Sequence, residues 1–296
     1  MIHYSRCPVC HSENIQAQLT AKDHTVSQQD FAIWHCQNCT ARFTQDVPAP
    51  DAIGAYYASE NYISHSDTKK GIINSLYHMV RKRTLNGKRK LVAAETGMSK
   101  GSILDIGCGT GAFLHTMQQA GWDTTGLEPD AIARAKAAEL YNIRPQEPSA
   151  LFNLQPASVN AITMWHVLEH VHELHAYITQ IESLLATNGK LFIAVPNYSS
   201  KDADIYGQHW AAYDVPRHLY HFSPQSMENL LSQHGLQLIA VKPMWYDSFY
   251  VSMLSEQYKN GKGNIMKAVL NGLRSNIKAW GHVRTCSSVI YVIGKA

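Results

Sequence analysis

The sequence predicts an α/β fold in which a mostly parallel, doubly wound sheet of seven strands is flanked by helices, with a small four-cysteine module ahead of it. Three observations carry this expectation. Two Cys-x-x-Cys pairs lie within the first 39 residues. A short apolar run at 102–106 passes directly into alternating glycines and then a helical pattern. Strand-like apolar runs then alternate with helical ones to the C-terminus.

At 296 residues the chain exceeds the usual size of one core, so one large domain plus a small module is the natural division. Hydrophobic residues make up 45% and charged residues 17%, with a mean hydropathy of -0.24, which suits a folded domain with a sizeable core. A net charge of +3 is too small to demand a nucleic-acid partner. The basic cluster of Arg81, Lys82, Arg83, Lys88, Arg89 and Lys90 reads first as a solvated helix face and second as a contact for an acidic substrate. The opening MIHYSRCPVC has no apolar leader and no later run is long enough to span a bilayer, so the protein is expected to be cytoplasmic.

In a reducing compartment the cysteine pairs read as metal ligands before disulfides. Cys7 and Cys10 form one pair and Cys36 and Cys39 the other, with 25 residues between. Two knuckle turns can complete the closed four-sulfur shell of a structural zinc. Residues 31–34 and 42–44 have the β-branched and aromatic content of ribbon strands, and so small a module would draw much of its folding free energy from the metal.

The run Pro48-Ala49-Pro50 breaks regular structure and marks a boundary. Tyr56, Tyr57 and Tyr62 beyond it can staple two domains together or pack over a cofactor. Ile72, Ile73, Leu76, Met79 and Val80, then Leu85 and Leu91, keep helical spacing up to Gly97.

The stretch SILDIGCGTGAFLHTM supplies a buried strand, a glycine turn and a helix, the first unit of a doubly wound sheet with its ligand beyond the strand's carboxyl end. Its glycines Gly107, Gly109 and Gly111 alternate, preceded by Asp105. With this spacing the sequence resembles the class I S-adenosylmethionine methyltransferases, in which an E/DxGxGxG stretch ends the first strand of a Rossmann-like domain. The resemblance implies that Asp105 orients the loop and the cofactor's amino-acid end, and that Gly107, Cys108, Gly109 and Gly111 line the cofactor. About 20 residues on, TTGLEPD ends a second strand at Glu128, placed to accept two hydrogen bonds from ribose hydroxyls, with Pro129 beside it. Asp130 is expected to cap the following helix.

A third strand is poorly marked around IRPQEPSALF, where Glu147 is the candidate adenine contact. VNAITMWHVLEHV resembles the family's fourth strand and turn, with Asn160 where an aspartate is common. His166 should line the cofactor near its methyl group, and His170 should pack or cap one turn away. ITQIESLLATNGKLFIAVPN gives a helix, a turn at Asn188-Gly189 and the fifth strand.

HWAAYDVPRHLYHFSPQSMENLL then places His218, His221 and Asp214 as candidates to remove the acceptor's proton or position it, and Arg217 to pair with a substrate phosphate or carboxylate. Pro216, His218, Leu219, Phe222 and Ser223 are similar to the pattern of a methyltransferase subgroup with sugar or quinone-like substrates. Ser223 and Pro224 start a helix that Gly235 ends. After a sixth strand, LQLIAVKPM, the amphipathic basic stretch MKAVLNGLRSNIKAW reads as a lid or dimer helix, or as a contact with a membrane surface or lipid-linked substrate. SSVIYVIGKA is the last strand.

The resemblance extends over nearly the whole chain, since ribbon, tyrosine linker and core occur together in a bacterial methyltransferase family. It implies a zinc ribbon at 1–47, a helical linker and cofactor-covering segment at 48–98, and a class I methyltransferase domain at 99–296 with a helical insertion at about 245–285. The implied reaction is methyl transfer to a small-molecule acceptor, free or carried on a lipid or nucleotide. The alternatives are a zinc-ribbon RNA-binding protein or RNA methyltransferase, against which the small net charge stands, and a nicotinamide dehydrogenase, against which the glycine spacing stands.

Overall fold

The computed structural model describes residues 1–57 and 72–296, with side chains for 1–57 and 82–296. Tyr62 lies outside the described residues, as do the side chains of Ile72, Ile73, Leu76, Met79, Val80 and Arg81.

The N-terminal module begins with an antiparallel hairpin of β1 (Ile15–Lys22) and β2 (Asp30–Cys36). Its turn is organised by the Asp23 carboxylate, which accepts from the backbone N–H groups of Thr25, Val26 and Ser27 and from the two hydroxyls. The Cys36–Cys39 knuckle returns the chain into β3 (Arg42–Thr44), antiparallel to β2. A 3-10 turn at Ile53–Tyr57 follows, and the long helix α1 (Ile72–Thr96) leads into the main sheet.

From there strands and helices alternate: β4 (Ser102–Ile106), α2 (Ala112–Gln119), β5 (Asp123–Leu127), α3 (Ala131–Tyr141), β6 (Val159–Trp165), α4 (Leu174–Leu184) and β7 (Leu185–Pro196). The second half adds α5 (Lys201–Tyr206), β8 (Tyr220–His221), α6 (Pro224–Ser232), β9 (Leu236–Pro243), α7 (Asp247–Asn260), α8 (Ile265–Gly281) and β10 (Ser288–Lys295). The sheet order is β5-β4-β6-β7-β10-β9, and only β10 opposes the common direction. That is the Rossmann-like, mostly parallel arrangement expected.

It holds six described strands, not seven. The predicted third strand shrinks to one parallel bridge, Leu127 to Gln146, before a 3-10 turn at Pro148–Asn153. Pro145 and Pro148 flank that bridge and cannot donate to a ladder, which is why pairing stops there. The fifth strand also starts earlier than predicted, at Leu185, with Asn188-Gly189 inside it.

The cysteine module does not stand alone. β8 pairs with β3, placing Tyr220 opposite Phe43 and His221 opposite Arg42, so the main domain supplies the fourth strand of the ribbon's sheet. Apolar packing follows the same path, since Phe43 and Val47 share one buried core with Leu219, Tyr220, Phe222 and Met227. Among the described residues no helix is long and apolar enough to cross a membrane.

Candidate active site and cysteine centre

The site forms where β4, β5 and β6 end side by side, because parallel strands deliver their carboxyl ends to one edge. Asp105 is buried there and accepts from the Thr163 hydroxyl at 2.6 Å. Burial raises its pKa to about 7, against the hydrogen bond from Thr163 and the charge of Lys88. The chain then turns through Gly107 and Gly109 with φ of 73° and 54°, a region where a side chain is strained. A Cβ at Gly107 would overlap a methyl group of Val167, whereas one at Gly109 would meet nothing within 4 Å. The backbone at Gly109 is therefore open to close approach by a ligand.

Glu128, just past β5, faces the same loop. Its two carboxylate oxygens accept from the backbone N–H of Gly109 at 2.8 Å and of Asp130 at 3.0 Å. Burial raises its pKa, opposed by those two bonds. Cys108 is buried, with its thiol pushed up by burial, and Gly111 leads into α2. Pro129 is exposed; its carbonyl and that of Glu128 accept from Arg134, which also pairs with Glu147 at 2.9 Å. Asp130 caps α3 through Ile132, and Asn160 ties β6 to β4 by accepting from Ser102.

His166 directly follows β6 with φ of 57° and carries two carboxylate neighbours. Its Nε2 lies 3.1 Å from Asp247 and its Nδ1 3.5 Å from Glu169. Burial opposes its charge, but the two carboxylates prevail and raise the pKa to about 10.

Glu169 is completely buried and neither carboxylate oxygen has a hydrogen-bond partner. Beside it His170 and His218 meet each other edge to face, with ring centroids 4.6 Å apart. His170 Nδ1 contacts the Arg217 carbonyl at 3.0 Å and the Tyr57 hydroxyl at 2.9 Å, and His218 Nδ1 contacts the Ala212 carbonyl at 2.9 Å. A carbonyl only accepts, so both Nδ1 atoms carry a proton. Ligand atoms of Glu169, His170 and His218 lie within 4.8 Å of one another, an arrangement able to take up a proton or a divalent cation. Burial, aided by His218, lowers His170 to about 4.

Other expected participants are committed elsewhere. Asp214 and Arg217 were expected to face the acceptor, but the Arg217 guanidinium binds both carboxylate oxygens of Asp214, and also the Tyr56 carbonyl at 2.8 Å. Arg217 is only 3% exposed, and a charge so buried requires a local partner. His221, expected as a base or positioning group, is buried with Nε2 3.1 Å from the Thr44 hydroxyl and its ring edge-on to Tyr213. Burial pushes its pKa well down. It binds the ribbon to the main domain.

Sequence reasoning missed three groups. Lys88 does not share a solvated face: its ammonium sits 4.2 Å from the Trp165 ring centroid, and burial lowers its pKa to about 8 against Asp105 and Asp247. Glu169 was signalled by its place three residues after His166 on the HVLEH turn. Asp247 gave no local signal, because its partner is far away in sequence.

In the ribbon, the sulfurs of Cys7 and Cys39 lie 3.6 Å apart and those of Cys10 and Cys36 3.5 Å apart. A tetrahedron of Zn–S bonds of about 2.3 Å has edges of about 3.8 Å; these two edges are close to that, and all four sulfurs lie within 4.8 Å of one another, a spacing compatible with one zinc ion. The Cys39 contact lowers the Cys7 thiol to about 6 while the Cys36 and Cys39 thiols are raised, as expected of crowded sulfurs that cannot all ionise without a cation.

The profile of a family described as a methyltransferase domain matches residues 78–241. A ubiquinone biosynthesis O-methyltransferase of Xanthomonas euvesicatoria is 28% identical over 169 residues, covering 53% of this chain and 71% of that protein. The fold is similar to that of magnesium protoporphyrin IX methyltransferase from Synechocystis with bound SAH, at TM-score 0.51, 14% identity and 81% and 97% coverage. It is also similar to 1,6-didemethyltoxoflavin-N1-methyltransferase from Burkholderia thailandensis, at TM-score 0.50 and 15% identity, over 93% of this chain and all of that one.

Proposed function

The chain belongs to the methyltransferase-domain family, and from that premise we propose that it transfers a methyl group from S-adenosylmethionine to a small-molecule acceptor. The observation that carries the cofactor is the open backbone of Gly109 set between two buried carboxylates, Asp105 and Glu128, on adjacent strand ends. Asp105 would hold the loop and the cofactor's amino-acid end, with Gly107, Cys108, Gly109 and Gly111 lying along it. Glu128 would exchange its bond to Gly109 for the ribose hydroxyls, and Pro129 would flank them.

When bound, the cofactor supplies an activated methyl carbon open to in-line displacement, so the protein's task is alignment and proton removal. His166, charged across the neutral range, is suited to stabilise an acceptor oxygen as it loses its proton. Proton acceptance falls to His218, whose Nδ1 is held on the Ala212 carbonyl and whose Nε2 lies 3.8 Å from the Asp214 carboxylate, which would stabilise the imidazolium formed there. Asp214 is a positioning residue in this scheme.

A relative named for ubiquinone biosynthesis and a structural neighbour holding 1,6-didemethyltoxoflavin support a small-molecule acceptor. Cys7, Cys10, Cys36 and Cys39 would hold one structural zinc with no coordination site left for chemistry.

Calorimetric titration with S-adenosylmethionine, S-adenosylhomocysteine and nicotinamide cofactors tests the reading. Binding of the first two alone is expected, weakened by about 1 to 3 kcal/mol in Glu128→Ala as buried hydroxyls lose a charged acceptor. No binding, nicotinamide binding, or an unchanged Glu128→Ala variant would overturn it. Phenols and sugars are the acceptors to screen before RNA.

A further inference from the structure

The helix pair α7 and α8 is amphipathic in the reverse of the usual sense. α8 turns its small residues inward: Ala268, Gly272, Ser275 and Ala279 are buried, and Gly272 stands so close to Phe249 of α7 that a Cβ would fall 3.1 Å from the Phe249 backbone. Its large apolar residues face out. Met266, Val269, Leu270, Leu273, Ile277 and Trp280 follow a spacing of three and four residues, which aligns them in one stripe along the helix. Met266 and Trp280 at its two ends are each 84% exposed. α7 and the Tyr246 before it add a second exposed stripe, with Tyr246, Tyr250 and Met253 at the same kind of spacing.

Charge on this pair is one-sided. Lys259, Lys262, Lys267, Arg274 and Lys278 are exposed. The acids between 247 and 281 are Asp247, held on His166, and Glu256, buried against Tyr206 and Asn260. On α8 the three cations occupy one flank of the apolar stripe, roughly a quarter turn from its centre at about 100° per residue.

We propose that the α7–α8 face lies on an anionic phospholipid bilayer, with the α8 stripe inserted at the headgroup boundary and the lysines and Arg274 on lipid phosphates. A large outward apolar stripe with tryptophan at its end and cations alongside suits that interface. Two copies of this chain would instead bring five exposed cations against five with no exposed acid to answer them. The pair also connects to the candidate active site, since Asp247 at the start of α7 is the Nε2 partner of His166. Docking would bring that site to the lipid surface, where an acceptor with a hydrocarbon tail is presented.

The test is flotation of the 296-residue chain, purified with zinc, with phosphatidylcholine vesicles, plain or containing about a third phosphatidylglycerol, at about 0.1 M salt. This readout needs neither cofactor nor acceptor, so its failure is separate from failure of the methyl-transfer reading. The protein is expected to float with the anionic vesicles only, and Ile277→Glu to reduce binding by about tenfold or more. A Lys267→Glu, Arg274→Glu, Lys278→Glu variant should lose about as much, and raised salt should mimic it. Both sets of substitutions are on exposed positions, and unchanged melting temperatures will show that the variants fold. Wild-type protein that stays behind with anionic vesicles, binding that both variants retain, or a wild-type dimer that Ile277→Glu dissociates would each overturn the proposal.

Discussion

Alanine at Gly107 and at Gly109 should separate the two tasks of the loop between β4 and α2. Both glycines have positive φ, so alanine at either incurs about 1 kcal/mol of backbone strain. At Gly107 the new methyl group would also overlap one Val167 methyl and stand 3.3 Å from the other. Relief requires moving Val167, the neighbour of His166, and overpacking of this kind adds about 1 to 3 kcal/mol. At Gly109 the methyl group meets nothing within 4 Å. Gly109→Ala should therefore lose only about 1 kcal/mol in a urea titration, yet bind S-adenosylhomocysteine at least about tenfold more weakly, because its methyl group occupies the ligand's line of approach. Gly107→Ala should lose about 2 to 4 kcal/mol. Wild-type affinity in Gly109→Ala would show that the ligand does not use this backbone, and wild-type stability in Gly107→Ala would refute the tight contact.

Removing zinc with a chelator, or by Cys36→Ser with Cys39→Ser, should release one metal ion per chain, and amide exchange should quicken at residues 219–222 as well as in the ribbon, because β8 is the ribbon's fourth strand; faster exchange confined to the ribbon would argue against that coupling. His166 has a folded pKa of about 10 against 6.5 unfolded, so the stability it contributes is complete below about pH 6.5 and is lost as pH rises through 10. The melting temperature of wild type minus that of His166→Gln should therefore fall across this window, and a flat difference would remove the carboxylate pairing. Arg217→Met leaves Asp214 without its buried partner and should cost about 3 kcal/mol in denaturant, whereas a loss under about 1 kcal/mol would show the pair to be solvated.

What the sequence disclosed follows the range over which each feature is encoded. The glycine loop, the cysteine knuckles, the Asp130 cap and the order of strands depend on residues close together in the chain, and all four were visible as spacings. The failed third strand belongs with them, since Pro145 and Pro148 were already present to forbid a ladder. Asp214 and Arg217 show the opposite case. Both are residue types apt for a substrate site, and only the fold shows that burial turns them on each other. Lys88 reversed in the same way, from apparent membership of a solvated cluster to a position beside Trp165 and Asp105.

The ribbon and α8 give two further forms of the same limit. Pairing of Phe43 with Tyr220 is a contact across most of the chain, and no local periodicity reports it. In α8 the periodicity was plain, but periodicity gives the axis of an amphipathic helix and not which end of that axis points inward. The deciding information lay on the less conspicuous face. Ala268, Gly272, Ser275 and Ala279 permit the close approach to α7 that a face of leucine and tryptophan could not, as Gly272 against Phe249 shows. Once the small face is the packed one, the larger apolar face and the cations beside it are left to whatever lies outside the domain, which is why the bilayer proposal rests on the fold and not on the periodicity.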